Sequence, residues 1–278
     1  MKTLRLLVTL AAFLGFAGTP PLGATAERPL KATLTVARGD ARMSLQKDAA
    51  FEPAQPGAVL AADARVATGA DGSAELLFED GTAVRVEANS SLTLETARQT
   101  ADAREFSFRL WAGRLLSQVM KRDTNARYSV RTPTAVAAVR GTEFVADAAE
   151  GTTGLAVFEG SVETQSLDGD KPLGDPVALK PNQELSVEKG RPAGPPRAIS
   201  AAMDQYRQGI AALFQQRMED YRRDVSKVIQ LQRDFMLRRQ RENRDAMEKR
   251  RRENADRMGQ FRRRTRPRPP SSEDPGHR

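Results

Sequence analysis

The 278-residue chain has no cysteine, and its one histidine, His277, stands next to the last residue. Without cysteine there is no disulfide framework, no thiolate metal site and no cysteine nucleophile. With the only imidazole behind a proline-rich tail, a Ser/His/Asp triad, a histidine general base and a His-ligated zinc all fit poorly. Aromatic residues make up 5% of the chain against 39% apolar residues overall, enough for one well-packed core plus an extension.

Long apolar runs are missing too, except from Leu6 to Phe16. Lys2 and Arg5 precede that run, Pro20 and Pro21 break it, and Ala24, Thr25 and Ala26 follow as a small-x-small site. This is the pattern of a secretory signal peptide over residues 1–26, cut after Ala26, and the run is shorter than the roughly 20 residues that span a bilayer. The mature protein is therefore expected in the periplasm or otherwise outside the cytoplasm, where a disulfide-free core must suffice for stability.

The formal charge of +8 is unevenly spread. Residues 27–197 hold 21 basic against 24 acidic side chains, whereas residues 238–268 hold 14 against 5. The basicity belongs to the C-terminal arm.

From Lys31 to Lys189 apolar residues alternate with polar ones, and turn residues recur about every eight to twelve positions. Ala74, Leu76 and Phe78 alternate with Glu75 and Glu79, and Val84, Val86 and Ala88 return after Asp80 and Gly81, a pair suited to a two-residue hairpin loop. Phe106, Phe108 and Leu110, then Tyr128 and Val130, continue the period of two. The expectation is an all-β domain over 27–189, either a sandwich or a short solenoid-like stack of short strands. Trp111 falls at the solvent parity of its strand; it either covers a sheet edge or meets a partner.

The domain centres on Thr132 to Phe144, TPTAVAAVRGTEF. Pro133 biases Thr132 to an extended conformation, Val136 to Val139 form a small apolar run, and Arg140, Gly141 and Thr142 are expected to turn the chain before Phe144. Arg140 either pairs with a carboxylate such as Glu143 or, with Thr142, contacts a ligand or partner.

After a Pro/Gly linker at 190–198 the period changes. Ile199, Met203, Tyr206, Ile210, Phe214, Met218, Tyr221, Val225, Val228 and Phe235 recur at threes and fours, with a stutter near Phe214. One long helix, amphipathic and then basic, is expected over 199–264, followed by a disordered Pro-rich tail at 265–278. Its apolar stripe is either a coiled-coil seam for a homo-oligomer or a surface packed back on the β domain.

Four segments in order, FEDGT at 78–82, LWAGRL at 110–115, YSVRTPTAVAAVRGTEF at 128–144 and LAVFEGSV at 155–162, together resemble the FecR-like domain. The resemblance covers roughly Val66 to Val187. It implies an all-β, non-enzymatic periplasmic module, one that in its namesakes receives a signal from an outer-membrane transporter while a short cytoplasmic segment controls a sigma factor. Too little precedes the apolar run here to serve as such a segment, so direct sigma-factor control is not expected. The resemblance carries over no catalytic residues, cofactor or metal.

Two roles follow. The first is a protein- or glycan-binding scaffold whose basic arm, through Arg250, Arg251, Arg252, Arg262, Arg263 and Arg264, holds anionic lipid, lipopolysaccharide or a wall polymer; export argues against nucleic acid. The second is a sensor subunit of FecR-type cell-surface signalling that works through a separate membrane protein. An enzyme is disfavoured, because carboxylate pairs such as Asp168 with Asp170 and Glu79 with Asp80 sit in apparent turns, where solvent keeps their acidity ordinary.

Overall fold

The computed structural model describes residues 27–100, 103–120 and 126–264, excepting the side chains of 256 and 259–264. The expected signal peptide and tail lie outside the described residues. Among the described residues sixteen strands join in one hydrogen-bonded sheet, folded over so that two layers enclose the core. Phe78, whose strand Ser73–Phe78 is laddered to Ala32–Arg38 and Ala83–Val86, meets Phe106 and Phe108 edge-on at 5.0 and 5.7 Å from the facing layer. Tyr128 lies beside Phe108 and Phe144, and its hydroxyl shares a buried 2.6 Å hydrogen bond with Ser117. Burial raises the phenol's pKa, so this bond joins two neutral groups.

Three long strands, Arg104–Gln118, Ala135–Ala149 and Thr152–Asp168, run through both layers. Their inward residues change parity on the way. Phe106, Phe108 and Leu110 are followed by Leu115; Ala137 and Val139 by Phe144, Ala146 and Ala148; Leu155 and Val157 by Val162. With a side-chain period of two, only an added residue makes that change, and register shifts at Leu110/Ala112 and Arg140/Glu143 supply it. Gly141 and Gly160 take positive φ at neighbouring corners, 53° and 81°. They nest so closely that a Cβ on Gly160 would lie 2.5 Å from the Gly141 carbonyl oxygen. The result is a folded sandwich, and Arg140, Gly141 and Thr142 form a bend inside one continuous strand where the sequence suggested a turn between two.

The hairpin at Asp80 also differs in detail. Its loop is Glu79, Asp80 and Gly81, with Phe78 N–H bonded to the Thr82 carbonyl and Gly81 at φ 88°. The Asp80 carboxylate accepts from both the amide and the hydroxyl of Thr82, which stabilises the three-residue loop over the two-residue one.

Beyond a short strand, Arg197–Ala198, paired with Gln183 and Glu184, the chain turns helical. Ser200 caps α1 (Ala201–Tyr206); a π-helical turn follows at Arg207–Ala211, then α2 (Ala212–Arg223). The wide turn re-phases the stripe at the stutter: Ile210 points out, and Ala211 takes the buried place. Ala211, Phe214 and Met218 pack on Leu77, Leu116, Val145, Ala156 and Phe158, the outward residues of one layer.

Asp224 breaks the helix at φ −120°, ψ 81°, and its carboxylate accepts from the Ser226 amide at the start of α3 (Val225–Arg264). The expected single helix is thus divided. Helix α3 crosses Gly57 so closely that a Cβ there would meet the Leu231 carbonyl oxygen at 1.8 Å. Phe235 then reaches the main core, and Gln232, Arg238 and Arg239 bond Thr33, the Pro56 carbonyl and Glu52. The buried part of the amphipathic stripe therefore lies on the protein's own β domain, while Val225, Ile229, Met236 and Leu237 stay exposed. Every described side chain from Gln240 to Met258 is exposed as well.

Candidate functional site

The two layers present very different outer faces. One is strapped by Ala201–Arg239. Under the strap Glu75 is fully buried between Arg85 and Arg217; Arg85 also binds Glu87, which accepts from the Tyr206 hydroxyl at 2.8 Å. Burying a carboxylate costs several kcal/mol unless it is well paired, so these two guanidinium partners tie strap to sheet.

The other face is open. Because Phe106, Tyr128, Val139 and Val162 point into the core, their sequence neighbours Glu105, Arg127, Ser129, Ala138, Arg140, Ser161 and Glu163 point out. These outward residues line a concavity of about 930 Å³. The ladder pairs Glu105 with Arg127 and Tyr128 with Val139, and Arg127 and Arg140, each one position past the latter pair, line the same concavity. Small side chains, Ser129, Ala138, Ser161 and Ala178, form its floor.

The sequence singled out Arg140, Thr142 and Trp111 as partner contacts, and the structure separates them. Arg140 is exposed, and its guanidinium makes no hydrogen bond or ion pair among the described residues. Its expected partner Glu143 lies past the corner near Arg207 and Glu159; burial raises the Glu143 carboxyl above its ordinary value, Arg207 opposes the shift and Glu159 adds to it. Thr142 is buried, 1% exposed, and its hydroxyl donates to the carbonyls of Arg140 and Ser161 at 2.7 and 3.1 Å. It is a staple of the corner and cannot be a surface contact. Trp111 is 53% exposed, lies under the Arg109 guanidinium at 4.9 Å, and donates to the Thr93 hydroxyl at 3.3 Å. It sits on the open layer but outside the lining of the concavity.

Arg127, Ser129, Ala138, Ser161 and Glu163 were missed as site residues. Alternation places Arg127 and Ser129 outward, but only strand neighbours bring them to Arg140. The carboxylate pairs weighed for hydrolysis are separately occupied: Glu79 binds Arg28, Asp80 holds Thr82 and Asp170 binds Arg131. Among the described residues no group of three or more His, Asp or Glu is arranged to hold a metal, and no helix is long and apolar enough to cross a membrane. On the arm Arg250, Arg251 and Arg252 are exposed, and the side chains of Arg262, Arg263 and Arg264 lie outside the described residues.

Residues 64–163, from just before strand Arg65–Thr68 to the middle of strand Thr152–Asp168, match the family model for FecR protein. This segment is similar to a FecR domain. Both glycine corners, Gly141 and Gly160, and the floor of the concavity up to Glu163 fall inside it, whereas Ala178 and the helical strap lie beyond it. No curated protein matches the chain. Two crystal structures of a "putative anti-sigma factor" from Parabacteroides distasonis are similar at 22% identity with a TM-score of 0.42. The match covers 52% of this chain and 65% and 64% of theirs, so the chain spans just under two thirds of that protein's length.

Proposed function

We propose that the protein is a non-enzymatic regulatory module of the bacterial envelope, the sensor subunit of FecR-type cell-surface signalling, acting through a separate membrane protein. The FecR domain at 64–163 is the observation that carries this reading. The open face supports it, because the protein's own strap covers only the other layer. The pattern of residues 1–26 supports export, with the mature chain beginning at Glu27. The test is made in the native host. Deleting the chromosomal copy and introducing Arg140→Glu should change the same set of transcripts, with the altered protein still exported and folded. A deletion that leaves transcription unchanged would sink the signalling role, and an unprocessed N-terminus in the cytoplasmic fraction would sink export.

The arm supports a supplementary role. Lying clear of the β domain from Gln240 onward, it leaves Arg250, Arg251 and Arg252 to anionic lipid or another envelope polyanion. Flotation with vesicles containing anionic lipid should fall when these three become Gln; unchanged flotation would remove this role.

A further inference from the structure

Resting on the sensor reading, we infer that the concavity of the open face is a carboxylate-binding cleft, and that its occupant is an extended acidic segment of the protein partner. Three observations carry this. Arg127 and Arg140 line the same concavity, each one position past the last ladder pair of their strands, Tyr128 with Val139; both are exposed and neither guanidinium has a hydrogen bond or ion pair among the described residues. Like charges facing across a strand pair repel, and elsewhere on this layer guanidinium groups are matched, Arg98 by Glu105 and Glu27, Arg109 by Glu95, Arg131 by Asp170. Glu105, opposite Arg127 in the ladder, is taken by Arg98, so the guanidinium groups of Arg127 and Arg140 stay unmatched, and a carboxylate from outside relieves this with charge-assisted bonds to both.

The floor supplies the second argument. Ser129, Ala138, Ser161 and Ala178 are all small, so a peptide backbone can approach the sheet while its side chains reach the rim. The third is rigidity. Arg140 is the residue before Gly141, and its carbonyl is held by the Thr142 hydroxyl at 2.7 Å against the nested Gly160 corner. The guanidinium is therefore carried on a fixed backbone, which lowers the ordering cost of binding. Glu163, also on the rim, disfavours an occupant that is acidic throughout and favours one acidic toward the arginines.

The absence of native cysteine makes the test simple. In the full mature chain, Glu163→Cys carries an environment-sensitive fluorophore at the rim, and the probe ligand is a synthetic ten-residue peptide alternating Glu and Ser. Binding should change the emission, and Arg127→Glu with Arg140→Glu should weaken it by about tenfold or more while the thermal transition stays in place. Arg250, Arg251 and Arg252→Gln in the same labelled chain should leave the emission change intact. Loss of signal on that arm substitution, or an equal response to a Lys/Ser peptide or to anionic vesicles, would mean nonspecific attraction and overturn the cleft. A cleft that fails here while gene deletion still alters transcription leaves the sensor reading standing; the reverse result leaves the cleft without that role.

Discussion

The same folded sheet has one face strapped and one face bare, and the contrast lies in what stands opposite each strand's outward residues. On the strapped side these are Leu77, Leu116, Val145, Ala156 and Phe158, which need an apolar cover and receive α2. On the bare side they are Ser129, Ala138, Ser161 and the charged rim, which are stable in water. One layer thus serves stability, and the other is left to solvent. A fold whose two outer faces divide the labour in this way can change its surface without losing its core.

The largest expected effect is under the strap. Phe214→Ala removes a side chain 1% exposed between helix and sheet, and should cost about 3–5 kcal/mol in urea denaturation, with faster hydrogen exchange through residues 201–239. A loss below about 1 kcal/mol would mean the strap is dispensable and the two faces are energetically alike. Next is Arg85→Met, which leaves the buried Glu75 with Arg217 alone and should cost about 3 kcal/mol. The double change Arg85→Met with Glu75→Leu should recover most of that loss, and no recovery would contradict the proposed pairing.

A pH experiment probes the corner between the faces. Burial raises the folded pKa of Glu143 above its ordinary value of 4.5. The folded state therefore holds this proton more tightly than the unfolded chain, so the group's contribution to stability is full below pH 4.5 and is lost as pH rises through the raised folded value. Glu143→Gln should accordingly be more stable than the parent at neutral pH and gain nothing in acid; an advantage confined to acid would reverse the assignment. The smallest effect is on the bare face: Arg140→Glu should alter stability by no more than about 0.5 kcal/mol, because the side chain is exposed and unpaired. A larger loss would make Arg140 a structural residue and remove the contrast between the faces.

Much of the local structure was readable from residues alone. The period of two at Phe106, Phe108 and Leu110, the loop at Asp80 and Gly81, and the helical period after Ile199 all reflect short-range backbone preference, and each element is present. The stutter at Phe214 was visible as well, though its cause, a π turn at Arg207–Ala211, was not. The candidate site was legible only in part. Arg140 is exposed on the open face as a contact residue must be, but Thr142, two residues on and so due on the same face, points inward, because the extra residue at the corner shifts the parity between them.

The sequence by itself determined the class of fold, the placement of strands before helix and the identity of the glycines that let strands bend, because alternation, turn chemistry and positive φ are local properties. Only the tertiary structure decided that three long strands fold over as a sandwich, that the amphipathic helix covers its own sheet, and that Arg127 and Arg140 line one concavity. Those outcomes depend on which strands become neighbours and on which apolar face finds cover, and both are settled by long-range burial.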